Sequence, residues 1–437
     1  MSFPNASLFP TTARVNSSDH LVIGGCDTTD LVNKFGTPLY VYDEVTLRDM
    51  CRQFVSEFTR RYENTKVVYA SKAFINPAIA KIINEEGLGL DVVSGGELAV
   101  AQAVNFPPKS VYFHGNNKSI SELDLALEYG IGRIVVDNMQ ELHVLDGLSR
   151  NRGIIQDIML RISPSVDPHT HIHTTTGILD SKFGIPIETG DAERAIHQAM
   201  DLPHVKLVGL HFHLGSPIFE SEPYSIAIDT ALTFSAQFIR EGLKLQEFSP
   251  GGGFAIGYTR THSPPSIGYY ADAITSSVRK RSACLGIDEP RLVIEPGRAI
   301  VGRAGIALYT VGSIKDIPTV RKYVSLDGGM GDNIRPALYE ARYEAVVSNR
   351  MSDAPEESVT LSGKFCESGD LLIRDISLPV LKPGDIVSIP SSGAYAPAMA
   401  SNYNLNPRPA ILMVKDGIAQ LIRRRETYQD LMRYDLL

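Results

Sequence analysis

Val67-Val68-Tyr69-Ala70-Ser71-Lys72-Ala73 is a β-branched apolar run that ends in a lysine. Such a run reads as a strand buried on both faces. A lysine is seldom buried without a partner or a task. If the strand belongs to a parallel barrel, Lys72 stands at its carboxyl end, where barrels of this kind keep their chemistry. A partly desolvated lysine there is a candidate for imine formation with a carbonyl compound. The competing reading is a lysine that leaves the strand and reaches back to water.

The surrounding chain favours the first reading. Further strand-like runs fall at 88–93, 111–113, 134–136, 158–162, 208–213, 247–249 and 292–295, making eight with 67–69. Helical patterns lie between them, for example at 77–86, 121–128, 139–148, 192–200 and 224–240, after a first helix over 46–61. Eight alternations predict an α/β chain with a closed (β/α)8 TIM-like barrel; an open doubly wound sheet alternates too, but the count favours closure. Polar residues collect at the downstream ends of these runs: Lys72, Asp91, His114, Arg161, His213, Gly251-Gly252-Gly253 and Glu295. On a barrel they converge on one face, an arrangement that packing alone does not require.

After about residue 302 the periodicity shortens, and the runs are bounded by Gly, Pro, Asp and Asn. This predicts a second, all-β domain of Greek-key or β-sandwich-like character, with Lys415-Asp416-Gly417 as a hairpin turn. The expected division is an N-terminal segment, 1–43, joining the β domain, then a barrel over 44–302 and the β domain over 303–437.

Composition narrows the function. The chain has 437 residues and a formal charge of −8, which speaks against nucleic acid and anionic membrane as partners. The first twenty residues lack an apolar run, so no signal peptide is expected, and no stretch is apolar enough to span a bilayer. The four cysteines, Cys26, Cys51, Cys284 and Cys366, lie far apart and fit a reduced, cytoplasmic setting.

Three motifs carry chemistry. The triplet Gly251-Gly252-Gly253 fits no nucleotide fingerprint, but it permits either a tight turn or backbone N–H groups closing on a phosphate. Glu295-Pro296-Gly297-Arg298 puts a carboxylate and a guanidinium at the end of the eighth strand, suited to a pyridine nitrogen and to a carboxylate or phosphate. His211 and His213 alternate on one face, but no third ligand stands at suitable spacing, so no metal is expected. His169, His171 and His173 alternate in a polar loop, where solvated histidines are unremarkable.

Tyr69-Ala70-Ser71-Lys72-Ala73, His213-Leu214-Gly215-Ser216, the glycine triplet, Glu295-Pro296-Gly297-Arg298, Cys366-Glu367-Ser368-Gly369-Asp370 and Gly393-Ala394-Tyr395 occur in one order. In that order and spacing the chain resembles the barrel-type (fold type III) pyridoxal phosphate-dependent decarboxylases. Thr176-Gly177, Ser181-Lys182-Phe183-Gly184, the stretch from Met330 to Tyr339 and Met399-Ala400-Ser401-Asn402-Tyr403 make it resemble the diaminopimelate decarboxylases within them.

The resemblance implies pyridoxal 5'-phosphate held covalently by Lys72, with His213 on the ring, Glu295 at the pyridine nitrogen and Asp91 supporting the lysine side. It implies phosphate contacts from Ser216, Gly251, Gly252, Gly253, Gly297 and Tyr395, and substrate contacts from Arg298, Arg335 and Tyr339. It implies a homodimer with shared active sites, in which Cys366 donates a proton and Glu367 reads a distal amino group from the second subunit. The expected reaction is decarboxylation of meso-2,6-diaminopimelate to L-lysine, the last step of lysine biosynthesis. Arg335 discriminates, because a cationic fork suits a second carboxylate. The alternatives are a decarboxylase of ornithine, lysine, arginine or carboxynorspermidine, and a non-catalytic cofactor-binding protein. Pro217, Ser391-Ser392 and Lys364-Phe365 depart from the family pattern in loops. The polar loop over 165–180 has the position of a lid.

Overall fold

Each of the eight runs forms a strand and pairs in parallel with the next. They are β1 (Thr65–Ala70), β2 (Gly89–Val92), β3 (Val111–Phe113), β4 (Arg133–Val136), β5 (Gln156–Ser163), β6 (Val205–His211), β7 (Glu247–Gly251) and β8 (Arg291–Ile294). The pairing of β8 with β1, Leu292 opposite Thr65 and Ile294 opposite Val67, closes the cylinder. A two-residue strand, Ile185–Pro186, adds to β5 outside the ring. This is a computed structural model, and it describes residues 3, 5–167 and 176–436. The histidines 169, 171 and 173 and the centre of the expected lid loop lie outside the described residues.

The local sequence explains the helices between the strands. Asn76 caps the helix Pro77–Glu85 by accepting the Ile79 N–H at 2.9 Å, with proline in the first turn. Ser119 and Glu122 form a capping box on Ile120–Tyr129, and Gly130 ends that helix in the left-handed region, φ 71°. Asn138, which accepts the Glu141 N–H at 2.9 Å, and Gly153, φ 65°, bracket Met139–Arg152.

Side chains alternate along each strand, so every second residue points into the barrel. Val68, Tyr112, Val135, Met159 and Val293 pack together as its apolar middle layer. Two residues upstream from several of these lie Arg133, Asp157 and Arg291; two residues downstream lie His114, Asp137, Arg161 and Glu295. The site is thus placed by the period of the strand, one step beyond the core.

The chain divides into two compact units, Met50–Ala255 with Pro264–Gly297, and Met1–Asp49 with Ile256–Ser263 and Arg298–Leu437. The barrel is in the first. The second is sheet-rich, with short helices such as Thr28–Phe35 and Arg335–Tyr339. Its organising strand, Gly305–Ile317, pairs antiparallel with Leu39–Asp43, Arg321–Leu326 and Ile386–Ile389. Leu39–Asp43 also pairs in parallel with Ala410–Lys415, so an N-terminal strand lies inside the sheet. Leu39, Val41, Ile306, Leu308, Leu412 and Val414 share its core. At the hairpin Asp416 and Gly417 take φ 51° and 79°, as a tight hairpin turn requires. No helix among the described residues is long and apolar enough to cross a membrane.

Candidate active site

Glu295, one residue past β8, is the centre of the barrel's polar layer. Ser249 Oγ donates to its Oε1 at 2.8 Å, and His211 Nε2 lies 3.1 Å from its Oε2. His114 Nε2 stands 3.6 Å from Oε1 and 3.8 Å from Asp91 Oδ1. The His114 and His211 rings meet edge to face, centroids 4.8 Å apart. Burial pushes the Glu295 carboxyl up, but His211, His114 and the two hydrogen bonds outweigh it and hold the group well below the usual carboxylate range. Burial raises Asp91 well above that range and drives His114 and His213 well below the usual imidazole value.

This layer is incompletely satisfied. Asp91 Oδ1, His114 Nε2, His211 Nδ1 and Asp137 Oδ1 are buried without a hydrogen-bond partner. Unpaired buried polar atoms are costly, and a cluster of them marks a place built for a ligand. Arg161 Nη1 lies 3.7 Å from Asp137, and its guanidinium stacks 4.5 Å from the Phe183 ring centre. The Lys118 side chain is buried and donates to Gly115 O, Val135 O and Glu141 Oε1 at 2.7–2.8 Å, which pins the loop that follows His114.

Lys72 lies in a turn of 3-10 helix, Ser71–Ala73, directly after β1. It is exposed, not desolvated as the sequence suggested, while the groups around it are buried. Its positive charge favours the ionised forms of Asp91 and Glu97 and disfavours protonation of His114, His211 and His213. His213 also differs from expectation: β6 ends at His211, and His213 lies two residues beyond. There its Nδ1 accepts the Gly252 N–H at 3.3 Å.

The glycine triplet is a close approach. A Cβ on Gly252 would stand 2.0 Å from Glu295 O, and one on Gly251 would stand 2.8 Å from His213 Nδ1. Gly251 and Gly253 have φ of 76° and 107°, which L side chains rarely adopt. Tyr224 OH donates to Gly252 O at 2.6 Å and fixes the turn. A lysine, buried carboxylates and imidazoles with free polar atoms, and backbone bared by glycine together fit pyridoxal phosphate.

The second unit holds an arginine–tyrosine cluster. Arg298 Nη1 donates to Tyr258 OH at 2.6 Å, and its guanidinium lies 4.8 Å from the Tyr395 ring centre. Arg335 lies 4.5 Å from the Tyr258 ring centre and donates to Tyr343 OH. Burial pushes the Tyr258 hydroxyl up, but the two arginines outweigh it and lower its pKa. Tyr339 ends the helix Arg335–Tyr339. Cys366 and Glu367 are exposed on a loop whose buried Asp370 accepts the Met330 and Phe365 N–H groups at 2.6 and 2.8 Å.

Lys72, Asp91, His213, the glycines and Glu295 are therefore in the barrel unit, whereas Arg298, Arg335, Tyr395, Cys366 and Glu367 are in the other. Sequence reasoning missed Ser249, the pairing of His211 with Glu295, and Tyr258. It also found no third ligand-type group beside the histidines, but His114, His211 and Glu295 bring such atoms within 4.8 Å of one another.

Comparison with known proteins decides the family. Residues 46–302 match the pyridoxal-binding domain of the pyridoxal-dependent decarboxylases. A diaminopimelate decarboxylase of Bacillus subtilis is 47% identical over 431 residues, 97% of each chain. The chain belongs to the diaminopimelate decarboxylase family. A Synechocystis member is 43% identical over 99% of this chain and 94% of its own. Among solved structures, a diaminopimelate decarboxylase of M. jannaschii in complex with L-lysine superimposes with a TM-score of 0.92 at 35% identity, over 98% of both chains. One from Helicobacter pylori, also with L-lysine, gives 0.85 at 30% identity, over 93% of this chain and 98% of the other. Members of this family are pyridoxal phosphate enzymes with the barrel and sheet-rich domain described above.

Proposed function

We propose that this chain decarboxylates meso-2,6-diaminopimelate to L-lysine and carbon dioxide, acting as a cytoplasmic homodimer with shared sites. The observation that carries the reading is Glu295, an ionised carboxylate held by Ser249 and His211 in the barrel that also bears Lys72. Pyridoxal phosphate, when bound, supplies the sink for the electron pair released as the Cα–carboxylate bond breaks.

The chain's own groups then divide the work. Lys72 Nζ would be the covalent anchor, and its charge acts on Asp91. With the cofactor bound, Glu295 would keep a proton on its ring nitrogen and His213 would lie against its ring. Ser216, Gly251, Gly252, Gly253, Gly297 and Tyr395 would hold its phosphate. Arg298, Arg335 and Tyr339 bind the substrate's carboxylates, and the paired arginines favour a substrate with two of them. From the partner subunit, a cysteine at position 366 protonates Cα and a glutamate at position 367 receives the distal ammonium group.

The test is a substrate panel on purified protein carrying its cofactor. Lysine and carbon dioxide in equal amounts from meso-diaminopimelate, with little release from ornithine, lysine, arginine or carboxynorspermidine, is the expected result. Faster release from any of the others overturns the substrate assignment, and no release from any overturns the enzymatic one.

A further inference from the structure

His211 is a buried imidazole to which the reading above gives no task. It ends β6, with Nε2 3.1 Å from Glu295 Oε2 and Nδ1 buried without a partner. A neutral imidazole carries one proton. On Nδ1, that proton would be an orphan donor, and the Nε2 lone pair would face a carboxylate. On Nε2, it makes a charge-assisted hydrogen bond and leaves only an orphan acceptor. The second arrangement removes two penalties and adds one bond.

Ser249 occupies the other oxygen of Glu295. A carboxylate has about four lone-pair sites. One on each oxygen is therefore taken, and one on each is left. Two donors from different strands, β6 and β7, leave the carboxyl plane little freedom.

We propose that His211 is a positioning residue for the decarboxylation: as an Nε2–H donor it clamps Glu295, with Ser249, in the orientation that meets the cofactor's ring nitrogen. The inference rests on the pairing of Glu295 with that nitrogen. The charged and titratable groups that act on His211 are Glu295 after β8, His114 after β3, Arg161 in β5, Lys72 after β1 and His213 beyond its own strand. Burial, with the positive charges of Arg161 and Lys72, outweighs the opposing pull of Glu295 and moves the ring below the usual imidazole value. His114 stands 3.6 Å from Glu295, too far for a hydrogen bond, and forms the adjoining wall. A metal ion held by His114, His211 and Glu295 would need the Nε2 lone pair, hence the opposite tautomer.

Nitrogen-15 NMR on protein carrying its cofactor tests this, with labelled histidine and a labelled pyridine nitrogen. His211 is expected as the neutral Nε2–H tautomer above pH 7. In His211→Phe the ring nitrogen signal should move from the pyridinium toward the unprotonated position. There kcat should fall roughly ten- to a hundredfold with KM within about twofold, the loss expected for a charge-assisted bond used after binding. His211→Gln, which keeps a donor, should recover kcat to within roughly fivefold and restore the pyridinium signal. A wild-type Nδ1–H tautomer overturns the inference, as does a pyridinium signal unchanged in His211→Phe but lost in Glu295→Gln. A signal that survives Glu295→Gln overturns the underlying pairing, and the inference with it.

Discussion

The two ends of the barrel carry much the same residue types to opposite effect. At the amino end of the strands, Glu247 accepts from Arg133 Nε and Nη2 at 3.0 and 2.9 Å, from Arg291 Nη1 at 3.4 Å and from Tyr112 OH at 3.2 Å. Arg133 also reaches Asp157 at 3.0 Å. None of these side chains has a buried polar atom left unpaired. At the carboxyl end, Asp91, His114, His211, Asp137 and Arg161 surround Glu295, and four of their atoms are orphaned. One plug is closed by its own charges, and the other is left open for a guest. The satisfied end serves stability, and the unsatisfied end spends stability on recognition.

Substitutions should therefore separate activity from stability according to the end they touch. The largest effect is expected from Lys72→Ala at the open end. Turnover should fall roughly a thousandfold or more, while the thermal midpoint stays within about 2 °C of wild type. Steady-state kinetics and calorimetry on one preparation check both halves, and retained activity breaks the comparison.

Glu247→Ala at the closed end should do the reverse. It leaves Arg133 with Asp157 and Gly132 O and Tyr112 without its carboxylate acceptor, and should cost about 3 kcal/mol of unfolding free energy, with kcat per folded molecule nearly unchanged. Denaturant titration measures the first quantity, and a loss under about 1 kcal/mol would show that the network contributes little.

A smaller effect concerns pH. Burial raises the half-buried Glu97 carboxyl from 4.5 to about 7, against the opposing hydrogen bond from Val93 N–H and the charge of Lys72. Between those pH values the folded chain keeps a proton that the unfolded chain has released. Stability then falls as pH rises, by about 2 kcal/mol after allowance for partial exposure. Glu97→Gln should flatten that slope between pH 5 and 8, and equal slopes in the two proteins would refute the assignment. The smallest change is Tyr112→Phe, which removes one donor from a carboxylate that keeps its arginines. About 1 kcal/mol of destabilisation is expected by the same titration.

The barrel was legible because parallel strands covered on both faces are apolar throughout, so the polar residue that ends each run stands out. Lys72, His114, Arg161 and Glu295 were found in this way. What stayed hidden depends on contacts across long stretches of chain. His211, one of the two hydrogen-bond partners of Glu295, lies 84 residues away, and local alternation cannot rank it against His213. Tyr258 has no strand to place it, and its partners Arg298 and Arg335 follow much later in sequence. The departures at Ser391-Ser392 have a structural account. Ser391 Oγ donates to Gly257 O at 2.8 Å and Ser392 Oγ to Ile389 O at 2.9 Å, so both tie loops rather than present polar groups outward.

On this reading Lys72 is the amine that would carry the cofactor. Borohydride reduction of the purified protein, followed by digestion and mass spectrometry, tests it most directly. The cofactor's mass should appear on the peptide containing Lys72 and nowhere else, and should vanish in Lys72→Ala. A label on another lysine, or a reduced protein with no covalent label despite bound cofactor, would contradict the account.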